Sequence, residues 1–190
     1  DHRDLHSFPT RRSSDLSAQS KKALKWLQPN ILKMEYELRA GEDLVASLRF
    51  RSAFGTLATA ESADGCWTFK RMGFFQSRVT VRACGSERDL AVFKNNTWKG
   101  GGTLELTDGR VFLVNTNFWQ SAYEFRDSAE QPLVRFKTDW GLTQQSAEVE
   151  ILPAAGQLPE LPWMVLLGWY LAVMLNNDSA ASTATIVAVT

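Results

Sequence analysis

Histidine is nearly missing from this chain. Its 190 residues hold two, His2 and His6, and both fall in the opening run Asp1–Leu16, DHRDLHSFPTRRSSDL. That run resembles the in-frame translation of a short-read sequencing adapter, has no apolar stretch of the kind a secretory signal carries, and is set aside from the fold. What remains has no imidazole, the side chain best suited to proton transfer near neutrality. Serine or cysteine nucleophiles partnered by histidine, and histidine-ligated zinc, are thereby excluded. Cysteine is almost as scarce. Cys66 and Cys84 fit neither a metal-ligand spacing nor a disulfide framework, so the expectation is two small core residues and a reducing, cytoplasmic setting. An excess of basic charge is also lacking: Lys plus Arg and Asp plus Glu both total 21, which argues against a nucleic-acid partner. Finally, no apolar run reaches the roughly twenty residues that a membrane-spanning helix needs.

What the chain does have is aromatics, 7 Trp and 11 Phe, and a persistent period of two. A length of 190 residues is one domain's worth and can bury a sizeable core. Residues 17–30 form a separate N-terminal segment. Within it SKKALKWL (Ser20–Leu27) has helical spacing, with Leu24 and Leu27 on one face, and suits a frayed terminus or a short plug over a barrel end better than a helix lying on an anionic surface. From Ile31 the pattern alternates. Leu32, Met34, Tyr36 and Leu38 oppose Lys33, Glu35, Glu37 and Arg39, the signature of a half-buried strand. Further strands follow at 44–50, 55–61, 66–71, 78–82, 90–94, 103–106, 110–115, 123–126, 133–137 and 147–152. Asp64-Gly65 and Asp108-Gly109 are strong hairpin turns. Gly100-Gly101-Gly102 lacks the spacing of a phosphate-binding loop and no helix follows it, so it reads as a flexible hairpin loop.

Eleven or twelve short strands with one apolar and one charged face predict a mainly β fold, a closed antiparallel barrel of about twelve strands. The run Trp163–Leu175 is apolar on every side and follows Pro162, which suits a first helical turn. Thirteen residues make about 20 Å of helix, too short for a hydrocarbon core of about 30 Å. The expectation is therefore a buried helix, 162–176, filling the lumen of a barrel over 31–178, with 179–190 as a tail that is either a late strand or irregular.

A barrel threaded by a hydrophobic C-terminal helix, with DGCWTFKRMGFF (Asp64–Phe75) and PWMVLLGWYLAVML (Pro162–Leu175), resembles the tubby C-terminal-like superfamily, which includes the phospholipid scramblases and LURP-one-related proteins. The chain looks like a bacterial branch of that group. The resemblance implies a non-enzymatic module without a cofactor, acting peripherally at membranes with an anionic phospholipid as partner. Phosphate oxygens need the donors that Lys and Arg supply, and the candidate lipid-binding residues are Lys70, Arg71, Arg78, Arg82, Lys94 and Lys99. The alternative is a soluble scaffold for a protein partner, using an apolar patch around Trp98, Trp119 or Trp140. Catalysis finds little support. Asp64, Glu105, Asp108 and Asp127 sit at turns or on outward faces, with no spacing that pairs them.

Overall fold

The computed structural model describes residues 23–53, 55–73, 77–96, 101–117, 121–141 and 144–187, with side chains described as far as residue 180. Twelve strands follow one another: β1 (Leu24–Leu27), β2 (Glu35–Ala40), β3 (Asp43–Phe50), β4 (Leu57–Ser62), β5 (Gly65–Met72), β6 (Arg78–Ala83), β7 (Asp89–Asn95), β8 (Gly101–Leu106), β9 (Val111–Thr116), β10 (Ala122–Arg126), β11 (Pro132–Trp140) and β12 (Gln145–Ile151). Each pairs antiparallel with the next, and β1 pairs with β12 to close the barrel. A short 3-10 turn (Pro153–Ala155) then leads to one long helix, α1 (Leu161–Val187).

The period of two explains the wall. Inward positions such as Leu38, Leu48, Phe69, Val81, Leu104 and Phe125 are fully or almost fully buried, while the charged residues between them face outward. The helix explains the centre. Leu161 and every residue from Trp163 to Met174 are buried, so α1 has no solvent face over four turns and is the core on which the sheet closes. Trp169 lies at its heart, stacked between Trp26 of β1 at 6.0 Å and Trp140 of β11 at 5.5 Å, with Tyr36 edge-on. Small residues on the wall make room for the helix: Ala46, Ala58 and Ala60 of β3 and β4 are all fully buried. Gly168 is the closest approach, since a methyl there would stand 2.9 Å from Phe125 and nearer still to the ring of Phe136.

Five expectations are corrected. Ser20–Leu27 is not a helix: its described part, Leu24–Leu27, is β1. Leu24 and Trp26 point inward with Lys25 between them, because a barrel missing this strand would leave β2 and β12 with open edges. The strand expected from Ile31 begins only at Glu35. Asn30 accepts a hydrogen bond from the Leu32 amide on its side chain and from the Lys33 amide on its carbonyl, a turn that leaves Leu32 89% exposed. The helix does not stop at 176 but runs to Val187, taking most of the expected tail with it; beyond Asp178 the sequence is rich in alanine, the best helix former. Gly101 and Gly102 are not a flexible loop but the start of β8, where a Cβ on Gly102 would lie 2.6 Å from the Phe93 ring. The two cysteines are not separate core thiols. Cys66 and Cys84 stand opposite one another at the β5–β6 hairpin and form a disulfide, with Cα atoms 5.4 Å apart. Spacing along the chain does not reveal this, because only the strand register sets the two side by side.

Gly168→Ala, a change that ordinarily stabilises a helix by about 1 kcal/mol, is expected here to cost about 1–3 kcal/mol through overpacking against Phe125 and Phe136, measured as a lower urea midpoint. Removing the disulfide as Cys66→Ala with Cys84→Ala is expected to cost about 3 kcal/mol for a closed loop of this length. Reductant should lower the wild-type midpoint by a similar amount and leave the double variant unmoved.

Candidate functional site

Three of the six basic residues proposed from sequence come together on the outer face of β5, β6 and β7. Register places Arg78 directly opposite Lys94 and also opposite Met72. Lys70 lies opposite Thr80, one outward position further along, which sets it diagonal to Arg78. Like charges directly opposite on neighbouring strands repel one another, so this triangle of cations is an unfavourable arrangement unless an anion relieves it. One carboxylate does so in part: Glu105 of β8 accepts from Lys94 Nζ at 2.6 Å. Lys70 and Arg78 have no ion-pair partner among the described residues, and both are exposed. Thr80, between them, is buried and donates to the Lys70 carbonyl, so the cations rise above a sealed surface. Met72 adds 43% exposed apolar area beside them. Its outward direction follows from its alternation with Lys70, a signal the sequence carried.

Arg71 and Arg82 do not join. Arg71 has the inward parity of Trp67 and Phe69, and at the barrel end it donates to Asp178 of α1 at 2.5 Å. It ties the helix to the wall. Arg82 lies near the far end of β6 and pairs with Asp89 at 2.6 Å. Lys99 lies outside the described residues, as do Trp98 and Trp119. Trp140 belongs to the indole stack on α1, not to an exposed patch.

A groove of about 850 Å3 crosses the outer face of β9 to β12 and β1. Its rims carry Lys25, Arg135 and Lys137 against Glu124, Glu148 and Glu150, so its charges balance. Glu124 accepts from both Arg126 and Arg135, and Arg135 reaches on to Glu150 at 3.5 Å. Desolvation works against the Glu124 carboxylate, but hydrogen bonds from Arg135 and Arg126 outweigh it and hold the pKa below the ordinary 4.5.

The four carboxylates considered for catalysis are occupied locally. Asp64 sits in its turn beside Ser62, Glu105 holds Lys94, and Asp127 accepts from the amides of Ala129 and Gln131. Asp108 accepts from Arg110, whose hydrogen bonds hold its carboxyl below the usual range. The three tyrosine phenols, Tyr36, Tyr123 and Tyr170, are pushed up by burial, Tyr123 to about 12, so none offers a phenolate near neutrality. No three metal-ligating side chains gather among the described residues, and no described helix is long and apolar enough to cross a membrane. Comparison of the chain with protein-family models, curated proteins and solved structures finds no match to any of them.

A depressed carboxylate pKa contributes stability above the unfolded-state value and loses it as pH falls below that value. Part of the stability lost between about pH 5 and pH 3 therefore belongs to Glu124. Glu124→Gln is expected to be less stable than wild type at pH 7 and to lose less on acidification, compared by thermal melts at both pH values.

Proposed function

We propose that this barrel is a non-enzymatic binding module that recognises anionic lipid head groups at a membrane surface, with Lys70, Arg78 and Lys94 as its donors. The observation that carries this is Arg78 facing Lys94 across neighbouring strands, with Lys70 on the diagonal and a single carboxylate among them. The fold pays a repulsion there that a phosphate would turn into attraction. The resemblance to the tubby C-terminal-like superfamily points the same way, and with it to peripheral membrane attachment. The cytoplasmic setting expected from composition loses its basis with the Cys66–Cys84 disulfide, which favours an oxidising compartment. A second reading, a protein-interaction scaffold with no lipid ligand, is favoured by the charge-balanced groove across β9 to β12 and β1.

Vesicle flotation separates the two. The protein should float with vesicles containing an acidic phospholipid, stay behind with purely zwitterionic ones, and release as salt rises. Lys70→Glu with Arg78→Glu should weaken flotation at least about ten-fold, at about 1 kcal/mol per basic residue near the surface. Equal behaviour on neutral and acidic vesicles would sink the lipid reading.

A further inference from the structure

On the outer wall of β3 and β4, apart from the cation triangle and the groove, lies a smaller hollow of about 340 Å3 whose lining includes Ser47, Arg49, Arg51, Leu57, Thr59 and Glu61. Its size lies within the range of small-molecule sites, about 300–1,000 Å3. Alternation turns Ala58 and Ala60 into the core and leaves Leu57, Thr59 and Glu61 outside. Register sets Ser47 opposite Glu61 and Arg49 opposite Thr59, and the Arg51 amide donates to the Leu57 carbonyl. The hollow is therefore polarised along the strands. One end holds a carboxylate and a hydroxyl. About 7 Å further on, at two residues of strand rise, two guanidinium groups and a second hydroxyl take over.

These polar groups lack partners. Arg49 and Arg51 are exposed and form no ion pair among the described residues. Glu35 of β2 stands opposite Arg49, and Glu61 lies on its diagonal, yet neither closes on it. Glu61 is half-buried and has the Cys66 sulfur 4.0 Å away, which as half of a disulfide has no proton to donate. Ser47 is 5% exposed, and its hydroxyl has no hydrogen-bond partner among the described residues, an arrangement that costs free energy. Charges elsewhere on the wall do close on one another: Arg39 on Glu37, Arg82 on Asp89 and Lys94 on Glu105.

We propose that this hollow binds a small zwitterion, a phosphate monoester that carries a primary ammonium group. Arg49 and Arg51 hold the phosphate, and Thr59 donates to a further oxygen. Glu61 and the Ser47 hydroxyl accept from the ammonium. Two guanidinium groups match a dianion with three free oxygens better than a carboxylate, which one guanidinium saturates in bidentate fashion. Glu61 supplies selectivity, because its charge repels an anion that brings no ammonium. The phosphate of a lipid head group of this kind is a diester with a single charge, which needs only one of the two arginines, so the ligand is the free monoester. Leu57 of β4 separates Arg51 from Lys70, so the hollow shares no donor with the triangle and does not rest on the lipid reading.

The test is calorimetric titration of the full chain with O-phosphoethanolamine, inorganic phosphate and glycerophosphoethanolamine at physiological salt, where charges two strands away are largely screened. O-phosphoethanolamine should bind at least about ten-fold more tightly than the other two. Arg49→Gln with Arg51→Gln should cost about ten-fold or more, and Lys70→Gln with Arg78→Gln less than about two-fold. Glu61→Gln separates the two ends: it should weaken O-phosphoethanolamine about ten-fold and leave inorganic phosphate unchanged or tighter. Thermal melts check that each variant is folded. No binding of O-phosphoethanolamine by wild type, or binding that survives the double arginine change, overturns the site. Inorganic phosphate binding as tightly as O-phosphoethanolamine overturns the ammonium end, and glycerophosphoethanolamine doing so overturns the free monoester as ligand.

Discussion

A closed sheet of twelve strands encloses more space than its own inward side chains fill, and an unfilled lumen forfeits packing and apolar burial at once. Every other feature of this protein depends on that space being occupied by α1. The helix needs no polar stripe because no side of it meets water between Trp163 and Met174. The wall in turn needs small residues where the helix comes close, which is why alanines line β3 and β4 and why Gly168 faces Phe125 and Phe136. With the interior built almost wholly from apolar and aromatic side chains, the charged groups are confined to the outer wall and the two ends.

The ends are also where the helix is held. Apolar burial alone fixes neither its depth nor its rotation, since an all-round apolar cylinder gains similarly at many settings. Polar contacts are directional and supply what is missing. Glu160 with Arg110 pins the entrance, Asp178 with Arg71 pins the exit, and the Tyr170 hydroxyl donates to the Thr56 carbonyl at 2.6 Å. Trp169, stacked between Trp26 and Trp140, adds a shape constraint that only one rotation satisfies.

Eleven of the twelve strands were legible because apolar and polar residues alternate there between turn residues. The missing one, Leu24–Leu27, fits two periods at once. Leu24 and Leu27 fit helical spacing as well as Leu24 and Trp26 fit a strand, and only the demand for closure decides between them. The disulfide was illegible for a related reason, since Cys66 and Cys84 meet through strand register alone. The site was partly legible. Counting around hairpins places Lys70, Arg78 and Lys94 on one face, but Arg71 shares the parity of Trp67 and Phe69, and grouping it with its neighbour Lys70 ignored that parity.

Zero net charge argues against a polyanion partner only where charge is evenly spread. Here Lys70, Arg78 and Lys94 gather on one face of the wall with a single carboxylate among them. The total cancels and the local field there does not. The Arg71–Asp178 pair is the opposite case, because Asp178 leaves the barrel with the helix and would stand there as a lone carboxylate. Arg71 neutralises it at 2.5 Å. In doing so it gives up its own charge as a surface donor, and its inward parity leaves it no better use. The contact that stops the helix from sliding therefore also neutralises the carboxylate that leaves the barrel with it, so one ion pair serves both packing and charge balance at this end.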